Sequence, residues 1–221
     1  MGSITRSFAN NIGSSGILTA SAVTNATIED ITSFDNAASS ATLVLLSTQT
    51  ASSSANISFT TGLDSTYDEY IFKFINIHNE TNYEFLSFNL STDGGANYNV
   101  TKTTTMFFAY HNEPGTATSF AYNSSNDLAQ GTGIAKISME VRSANADDSL
   151  SGSMTLFNPS STTYVKHFIS NVTHAHSDTY TCNTFSSGYG NTTSAVNAIR
   201  FQMSSGNIDD GIIKMYGVKK S

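Results

Sequence analysis

The segment from Ala195 to Val218 constrains the fold more than any other part of the chain. Its first part, Ile199 to Met203, alternates apolar and polar residues, which is the period of a half-buried β-strand. Ser204 to Gly211 is rich in Ser, Gly, Asn and Asp, the residues that favour turns. The apolar run from Ile212 to Val218 predicts a second strand. We therefore expect a β-hairpin that completes the sheet of an all-β domain.

The second strand of this predicted hairpin is apolar on both faces. Ile212, Tyr216 and Val218 would lie on one face, and Ile213 and Met215 on the other. The pattern does not decide which set faces the core. Because a monomeric sandwich would leave one set in water, we predict that Ile212, Tyr216 and Val218 contact a neighbouring subunit, with a homotrimer as the preferred assembly.

The composition favours strands and turns and argues against several classes of function. Charged residues make up 12% of the 221 residues, and the formal net charge is -7. Lys and Arg cluster nowhere beyond Lys219 and Lys220, so we expect no nucleic-acid partner. A single cysteine cannot form an internal disulfide. The sequence shows no signal-peptide pattern and no apolar run long enough to cross a bilayer, and it suggests no cofactor.

Short strand patterns separated by turn residues run through residues 41–221, which we expect to form one antiparallel β-sandwich or jelly roll. The first predicted strand reads as buried, and Tyr70–His78 reads as a central strand covered on both faces. Turns are predicted at Thr92–Ala96 and Glu113–Gly115, and the polar stretch from Thr173 to Asn191 carries no predicted strand. The expected strands are Thr42–Gln49, Ala55–Thr60, Tyr70–His78, Tyr83–Leu90 (with Leu86, Phe88 and Leu90 inward), Tyr98–Tyr110, Ser119–Tyr122, Gly133–Arg142 (with Ala135, Ile137, Met139 and Val141 on one face), Leu150–Phe157 and Tyr164–Val172.

Residues 1–40 differ from the rest because their apolar residues occur singly or in pairs and cannot enclose a core. Such a composition fits a disordered tail. It also fits an extended arm that orders against a partner, and the large apolar side chains favour that interpretation. The residues expected to anchor this arm are Ile4, Phe8, Ile12, Ile17, Leu18 and Phe34.

Three blocks of this sequence, Leu43–Ile77, Leu156–Phe168 and Met203–Val218, resemble structural proteins of marine tailed bacteriophages. The resemblance extends to Gly-Ser-Ile-Thr-Arg at residues 2–6 and to Ala-Asn-Asn at residues 9–11. It implies a virion component with a C-terminal jelly-roll-like domain, often trimeric. It leaves the position on the particle open and carries no catalytic motif.

The pair His174 and His176 is the best candidate for metal binding. Residues i and i+2 of a strand share a face, so both imidazoles could reach one ion. Asp178, Cys182 and His167 are near enough in sequence to add ligands. The alternative is a polar surface loop whose histidines bind nothing. We favour the alternative and predict no metal.

Carboxylates are scattered without a diagnostic spacing. The pairs Asp147–Asp148 and Asp209–Asp210 could supply oxygen ligands to calcium, although aspartate is also common in turns. A glycosidase needs two carboxylates, but no nucleophile or phosphate-binding motif accompanies them. The candidates for such a pair are Glu80, Glu84, Asp93, Glu113 and Asp127.

Aromatic residues in predicted loops give a second type of candidate surface. Tyr122, Tyr180, Phe185 and Tyr189 could contact carbohydrate, because aromatic rings offer rigid area with a polar edge. They could equally pack in a core or a subunit interface.

These observations lead to one preferred function and two alternatives. We expect a non-enzymatic decoration or cement protein on the exterior of the virion, anchored by its N-terminal arm to the major capsid protein. The first alternative is a tail-fibre or spike component that binds host surface glycans. The less favoured alternative is a glycan-degrading spike enzyme.

Overall fold

The computed structural model describes residues 42–177 and 179–220, and these residues form an all-β structure. The predicted arm and its six anchoring residues lie outside the described residues. No helix in the described part of the chain is long and apolar enough to span a membrane. The twelve strands are β1 (Leu43–Ser54), β2 (Ile57–Phe59), β3 (Glu69–Asn79), β4 (Leu86–Ser91), β5 (Lys102–Asn112), β6 (Thr118–Tyr122), β7 (Ala135–Lys136), β8 (Leu150–Phe157), β9 (Lys166–Ala175), β10 (Tyr180–Gly190), β11 (Ala198–Met203) and β12 (Ile208–Val218).

The strands form two antiparallel sheets that pack together as a β-sandwich, which confirms the predicted fold class. The large sheet has eight strands in the order β1-β12-β3-β8-β9-β10-β5-β6, and the small sheet has four in the order β2-β11-β4-β7. Each sheet therefore has one face toward the other sheet, and strands such as β9 and β12 bury alternate side chains there.

The core between the sheets is built around Phe201 of β11. Its ring lies 5.1 Å from the ring of Phe72 and 5.1 Å from that of Phe74, measured between centroids. Phe59 and Phe88 also contact it. The pairs with Phe59 and Phe74 are edge to face, as aromatic quadrupoles prefer. The large Phe side chains supply this volume in a chain that has no Trp. The predicted inward residues of β4, including Phe88, are buried.

The predicted C-terminal hairpin is wrong in its pairing. β11 pairs with β2 and β4 in the small sheet, whereas β12 pairs with β1 and β3 in the large sheet. The turn at residues 204–207 therefore carries the chain from one sheet to the other. Ser204 fixes this crossing, because its amide donates to the Phe85 carbonyl and its hydroxyl oxygen accepts from the Phe85 amide, at 2.9 and 2.8 Å.

Two strands have less cover than their sequences predict. β1 is an edge strand of the large sheet, with Leu43 and Leu45 exposed rather than buried. β3 is central in the large sheet, as expected, but the small sheet covers only one of its faces. Lys73 and Ile75 on the other face are exposed. Apolar residues of β3 therefore remain in contact with solvent in the described structure.

Two further differences concern the second half of the chain. The polar stretch without a predicted strand contains β10, an eleven-residue strand between β9 and β5. Its inward positions are small, Cys182, Thr184 and Ser186, so no apolar alternation reveals them. The predicted strand Gly133–Arg142 is reduced to the two residues of β7, although the four apolar residues that were expected to share one face are all buried.

Candidate functional site: the outer face of the large sheet

The outer face of the large sheet is the surface that faces away from the small sheet. The burial pattern of β12 shows which of its residues lie there. Ile213 and Met215 are buried in the core, and Ile212, Tyr216 and Val218 are half-buried on the outer side. The structure thereby decides the question that the alternating sequence left open, and it places the three predicted interface residues together on the outer face.

These three residues belong to an aliphatic patch formed by the first strands of the sheet. Residues paired across neighbouring strands share a face, and one row runs from Leu45 to Tyr216, Ile71, Thr155 and Ile169. Parallel rows place Leu43 beside Val218 and Ile212 beside Ile75. We define the aliphatic patch as Leu43, Leu45, Ile71, Ile75, Ile169, Ile212, Tyr216 and Val218.

An aromatic patch lies at the other end of the same face, on β10, β5 and β6. Phe107 stacks on Phe185 with centroids 5.1 Å apart and planes 13° apart. Phe120 meets Phe107 edge to face at 5.7 Å. Tyr122 pairs with Phe107 across the strands, and its hydroxyl donates to Asp127. We define the aromatic patch as Phe107, Phe120, Tyr122 and Phe185.

A polar row connects the two patches and carries the charge at the centre of the face. Lys214 and Lys73 are cross-strand neighbours, and the row continues through Ser153 and Asn171 to Phe185. Asn171 accepts a 2.8 Å hydrogen bond from Asn183. The centre of this face is therefore cationic in a chain whose net charge is -7.

The exposed hydrophobic side chains of the described residues concentrate on this one face. Eight of the ten exposed large hydrophobics lie there, and Tyr83 and Tyr164 are the other two. Phe120 is 75% exposed and Ile169 is 56% exposed. Scattered exposed hydrophobics are ordinary, but a shared face marks an interaction surface. The outer face is therefore the best candidate for the functional site.

Sequence reasoning found only part of this surface. It identified the outer residues of β12, and it grouped Tyr122 and Phe185 with Tyr180 and Tyr189 as loop aromatics. All four lie in strands, not loops. Tyr180 packs against Tyr110, and Tyr189 against His167, so neither belongs to the aromatic patch. Sequence reasoning missed Leu43, Leu45, Phe107, Phe120 and Ile169.

The candidate metal residues His174 and His176 have ring centroids 5.9 Å apart but lie in different surroundings. His174 lies in β9 with 3% exposure, so the surface-loop interpretation is wrong for this residue. Its Nδ1 donates to the Ala175 carbonyl at 3.1 Å, and its Nε2 has no hydrogen-bond partner in the described residues. Burial lowers its pKa to about 4. His176 lies beyond the strand and donates to the Glu140 carbonyl at 3.0 Å.

The other suggested metal ligands give no further support. His167 is exposed on the outer side of β9, and Asp178 lies outside the described residues. Cys182 is fully buried, rather than partly buried as expected, and burial raises the pKa of its thiol to about 11. Within residues 42–177 and 179–220, no three His, Cys, Asp or Glu side chains converge as metal ligands would.

The two aspartate pairs considered for calcium line one cleft of about 540 Å³ together with His78. One carboxylate of each pair already has partners on other residues. Asp148 accepts hydrogen bonds from Arg142 at 3.1 Å and from the Asn145 amide at 2.8 Å. Asp209 accepts from Ser53 at 3.0 Å and lies 3.5 Å from His78. The cleft brings the pairs together without arranging their oxygens around an ion.

The carboxylates considered for glycosidic catalysis hold local structure. Asp93 accepts from the Ser91 hydroxyl at 2.7 Å and from the Asn97 amide at 2.8 Å, and these bonds lower its pKa to about 2. Glu80 accepts from the Asn207 amide, and Glu84 from the Ser204 hydroxyl. Asp127 accepts from Tyr122. Glu113 lines a separate cleft with His111 and His174.

Comparison with known proteins adds no further candidate site. No protein-family model, no curated protein and no solved structure matches this chain.

Proposed function

We propose that this chain is a non-enzymatic structural protein of a phage virion, displayed on the particle exterior as a capsid decoration protein. The observation that carries the proposal is the concentration of exposed hydrophobic side chains on the outer face of the large sheet. Such a face supports a role in assembly, because contact with another protein removes its apolar area from water. The sequence resemblance to phage structural proteins supports the same role.

The aliphatic patch joins the subunits of a homotrimer in this proposal. Tyr216 and Val218 are half-buried there, and Leu45 beside Tyr216 is 51% exposed, so a neighbouring subunit would complete their burial. A two-fold dimer that pairs these faces would bring Lys73 and Lys214 toward the same lysines of its partner. A cyclic trimer instead sets the patch against a different surface of the neighbour, which avoids that repulsion.

The aromatic patch and the N-terminal arm then attach the trimer to the particle. Aromatic residues are enriched at the centres of protein interfaces, where they bury large areas at low conformational entropy. Phe120 is the most exposed member of the patch and would be the main contact residue. The arm, residues 1–40, would add further contacts to the major capsid protein through its spaced apolar residues.

Binding to particles that lack the protein tests this proposal. We expect the full chain to bind such particles, Phe120→Lys to weaken binding at least tenfold, and deletion of residues 1–40 to abolish it while the sandwich stays folded. The matched control is Tyr164→Lys, because Tyr164 is 69% exposed and lies off the outer face. Undiminished binding by the arm deletion would contradict the role of the arm. Hundreds of copies per virion are expected for a decoration protein.

A second function, glycan binding by a tail-fibre or spike component, is favoured by the geometry of the aromatic patch. The stacked rings of Phe107 and Phe185 present flat apolar area, and the amides of Asn171 and Asn183 lie beside them. Sugar rings present apolar C–H faces and hydroxyls, which such a combination can contact. Binding to host surface glycans that Phe185→Ser abolishes, together with a handful of copies per virion, would replace the decoration proposal with this one.

A further inference from the structure

Lys102 and Asn89 bring an amine and a carboxamide together in a buried site. Lys102 begins β5 of the large sheet and is fully buried, and Asn89 lies buried in β4 of the small sheet. The Nζ of Lys102 donates directly to Oδ1 of Asn89 and donates a second bond to the Val100 carbonyl at 2.8 Å. The backbone of Lys102 is fixed by two hydrogen bonds to Gly131, of 2.7 and 2.9 Å.

The environment of Lys102 favours the reactive form of its side chain. Within the described residues, the hydrogen bonds of its Nζ go to two neutral oxygens. Burial lowers its pKa to about 8. At pH 7, roughly a tenth of the molecules therefore carry Lys102 as the neutral amine. A desolvated lysine amine is a good nucleophile. The carbon that lies next to it is the amide carbon of Asn89, whose Nδ2 is oriented by a 3.3 Å hydrogen bond to the Thr132 carbonyl.

Arg200 supplies a cationic donor on the same face of the small sheet as Asn89. The two residues are cross-strand partners in β11 and β4, and such partners share a face. The guanidinium of Arg200 lies 4.4 Å from the ring centroid of Tyr98. Its Nε–H is buried and has no hydrogen-bond partner among the described residues. An unpaired buried donor is costly, so a side-chain movement that lets this Nε–H donate to a negatively charged Oδ1 of Asn89 would be favourable.

We propose that Lys102 and Asn89 join through an intramolecular isopeptide bond. The lone pair of Nζ attacks Cγ of Asn89 and forms the C–N bond, and Oδ1 takes the negative charge beside Arg200. One proton then moves from Nζ to Nδ2, the Cγ–Nδ2 bond breaks, and ammonia leaves. The product is a secondary amide between the two side chains. No oxidant, reductant or additional reactant is required.

The linkage would connect the two sheets covalently in a chain that has a single cysteine. It would join β4 to β5, where the chain crosses from the small sheet to the large sheet. In this connection the Val100 amide donates a 3.4 Å hydrogen bond to the Leu90 carbonyl. A cross-link that constrains the unfolded chain raises stability. This inference does not depend on the proposed virion role, because the chemistry resides within one chain.

The intact mass of the full-length chain tests the proposal. We expect the protein to be lighter by one ammonia than its sequence requires, and tandem mass spectrometry of a proteolytic digest to show the peptides of Lys102 and Asn89 linked. Lys102→Arg and Asn89→Ala should each restore the full sequence mass. A wild-type mass equal to the sequence mass after prolonged incubation would overturn the proposal, and so would an ammonia loss that persists in Lys102→Arg.

Two further variants test whether the linkage requires Lys102 and Arg200 in particular, rather than any buried lysine. Lys166 is a matched control, since it is also buried, two strands away in β9 of the large sheet, but donates to the carbonyls of Tyr164 and Thr192 and not to an amide side chain. Lys166→Arg should retain the linkage. Arg200→Met should slow its appearance at least tenfold in freshly refolded protein, measured by the mass over time. An unchanged rate would refute the role of Arg200 as the donor to Oδ1.

Discussion

Phe107 and Phe185 stack across neighbouring strands of the large sheet, with ring centroids 5.1 Å apart and planes 13° apart, on a face that the small sheet does not cover. Both rings retain more than a third of their exposure. Aromatic pairs of this kind contribute about 0.5–1.5 kcal/mol beyond the area that they bury. The stack therefore lies on the surface, and its loss should lower the free energy of unfolding only slightly.

From this arrangement we predict that substitution of Phe185 weakens binding but has little effect on the stability of the fold. We expect Phe185→Ala to lower the free energy of unfolding by about 1 kcal/mol, whereas Phe88→Ala in the core should lower it by about 3–5 kcal/mol. Phe185→Ala should nevertheless weaken binding to particles, or to glycans if the second function holds. Urea denaturation followed by a binding assay gives both values. A loss of stability as large as that of Phe88→Ala would show that Phe185 belongs to the core.

The aliphatic patch predicts the assembly state. If the chain forms the proposed trimer, Leu45→Lys combined with Ile75→Lys should convert it to monomer, because two charges would have to be desolvated in the subunit contact. Light scattering coupled to size-exclusion chromatography measures this change. Tyr83→Lys, which alters an exposed aromatic residue outside the patch, should leave the trimer intact. A wild-type chain that is monomeric at high concentration would contradict the predicted interface.

Because His174 is buried, we predict that the folded protein loses stability in mild acid. Its folded pKa of about 4 lies below the ordinary value of 6.5 because burial disfavours the charged ring. Between these pH values the unfolded chain binds the proton and the folded chain does not, so stability falls as the pH decreases from 6.5 toward 4. The loss approaches about 3 kcal/mol at the acid end of this window.

Urea denaturation across this pH range measures the effect. His174→Gln, which keeps a polar group but cannot titrate, should flatten the profile between pH 6.5 and 4. A matched substitution, His167→Gln, changes an exposed histidine of the same strand and should leave the wild-type slope unchanged. An equally steep profile in His174→Gln would assign the acid sensitivity to other groups.

The backbone around Gly188 in β10 leaves no room for a larger side chain. A Cβ at this position would lie 2.2 Å from the Thr103 carbonyl oxygen and 2.8 Å from the Thr104 Cα. Backbone atoms cannot yield as a flexible side chain can, so Gly188→Ala should destabilise the fold by about 1–3 kcal/mol or more. Gly133→Ala, where the added Cβ meets nothing within 4 Å, should be neutral or slightly stabilising. Thermal unfolding of the two variants provides the comparison.

The sequence could predict the strands whose inward residues are large and apolar. Leu86, Phe88 and Leu90 of β4 alternate with polar residues, so their burial was predictable from the period of two alone. The same principle failed for β10, because Thr184 and Ser186 face inward there. Thr184 accepts a hydrogen bond from the Met139 amide, and Ser186 donates one to the Lys136 carbonyl. Because these hydroxyls form hydrogen bonds with distant backbone groups, the residues can be buried without producing a hydrophobic pattern in the sequence.

The sequence by itself determined that this chain forms an antiparallel β-sandwich and that β12 has two apolar faces, since both follow from the local alternation of side chains. Only the tertiary structure decided that β11 and β12 enter different sheets, because a turn sequence sets the reversal of the chain but not the partner of each strand. It also decided that Ile213 and Met215 face the core, leaving Ile212, Tyr216 and Val218 outside. Which face is buried depends on the surface opposite, and for β12 that surface comes from strands far away in the sequence.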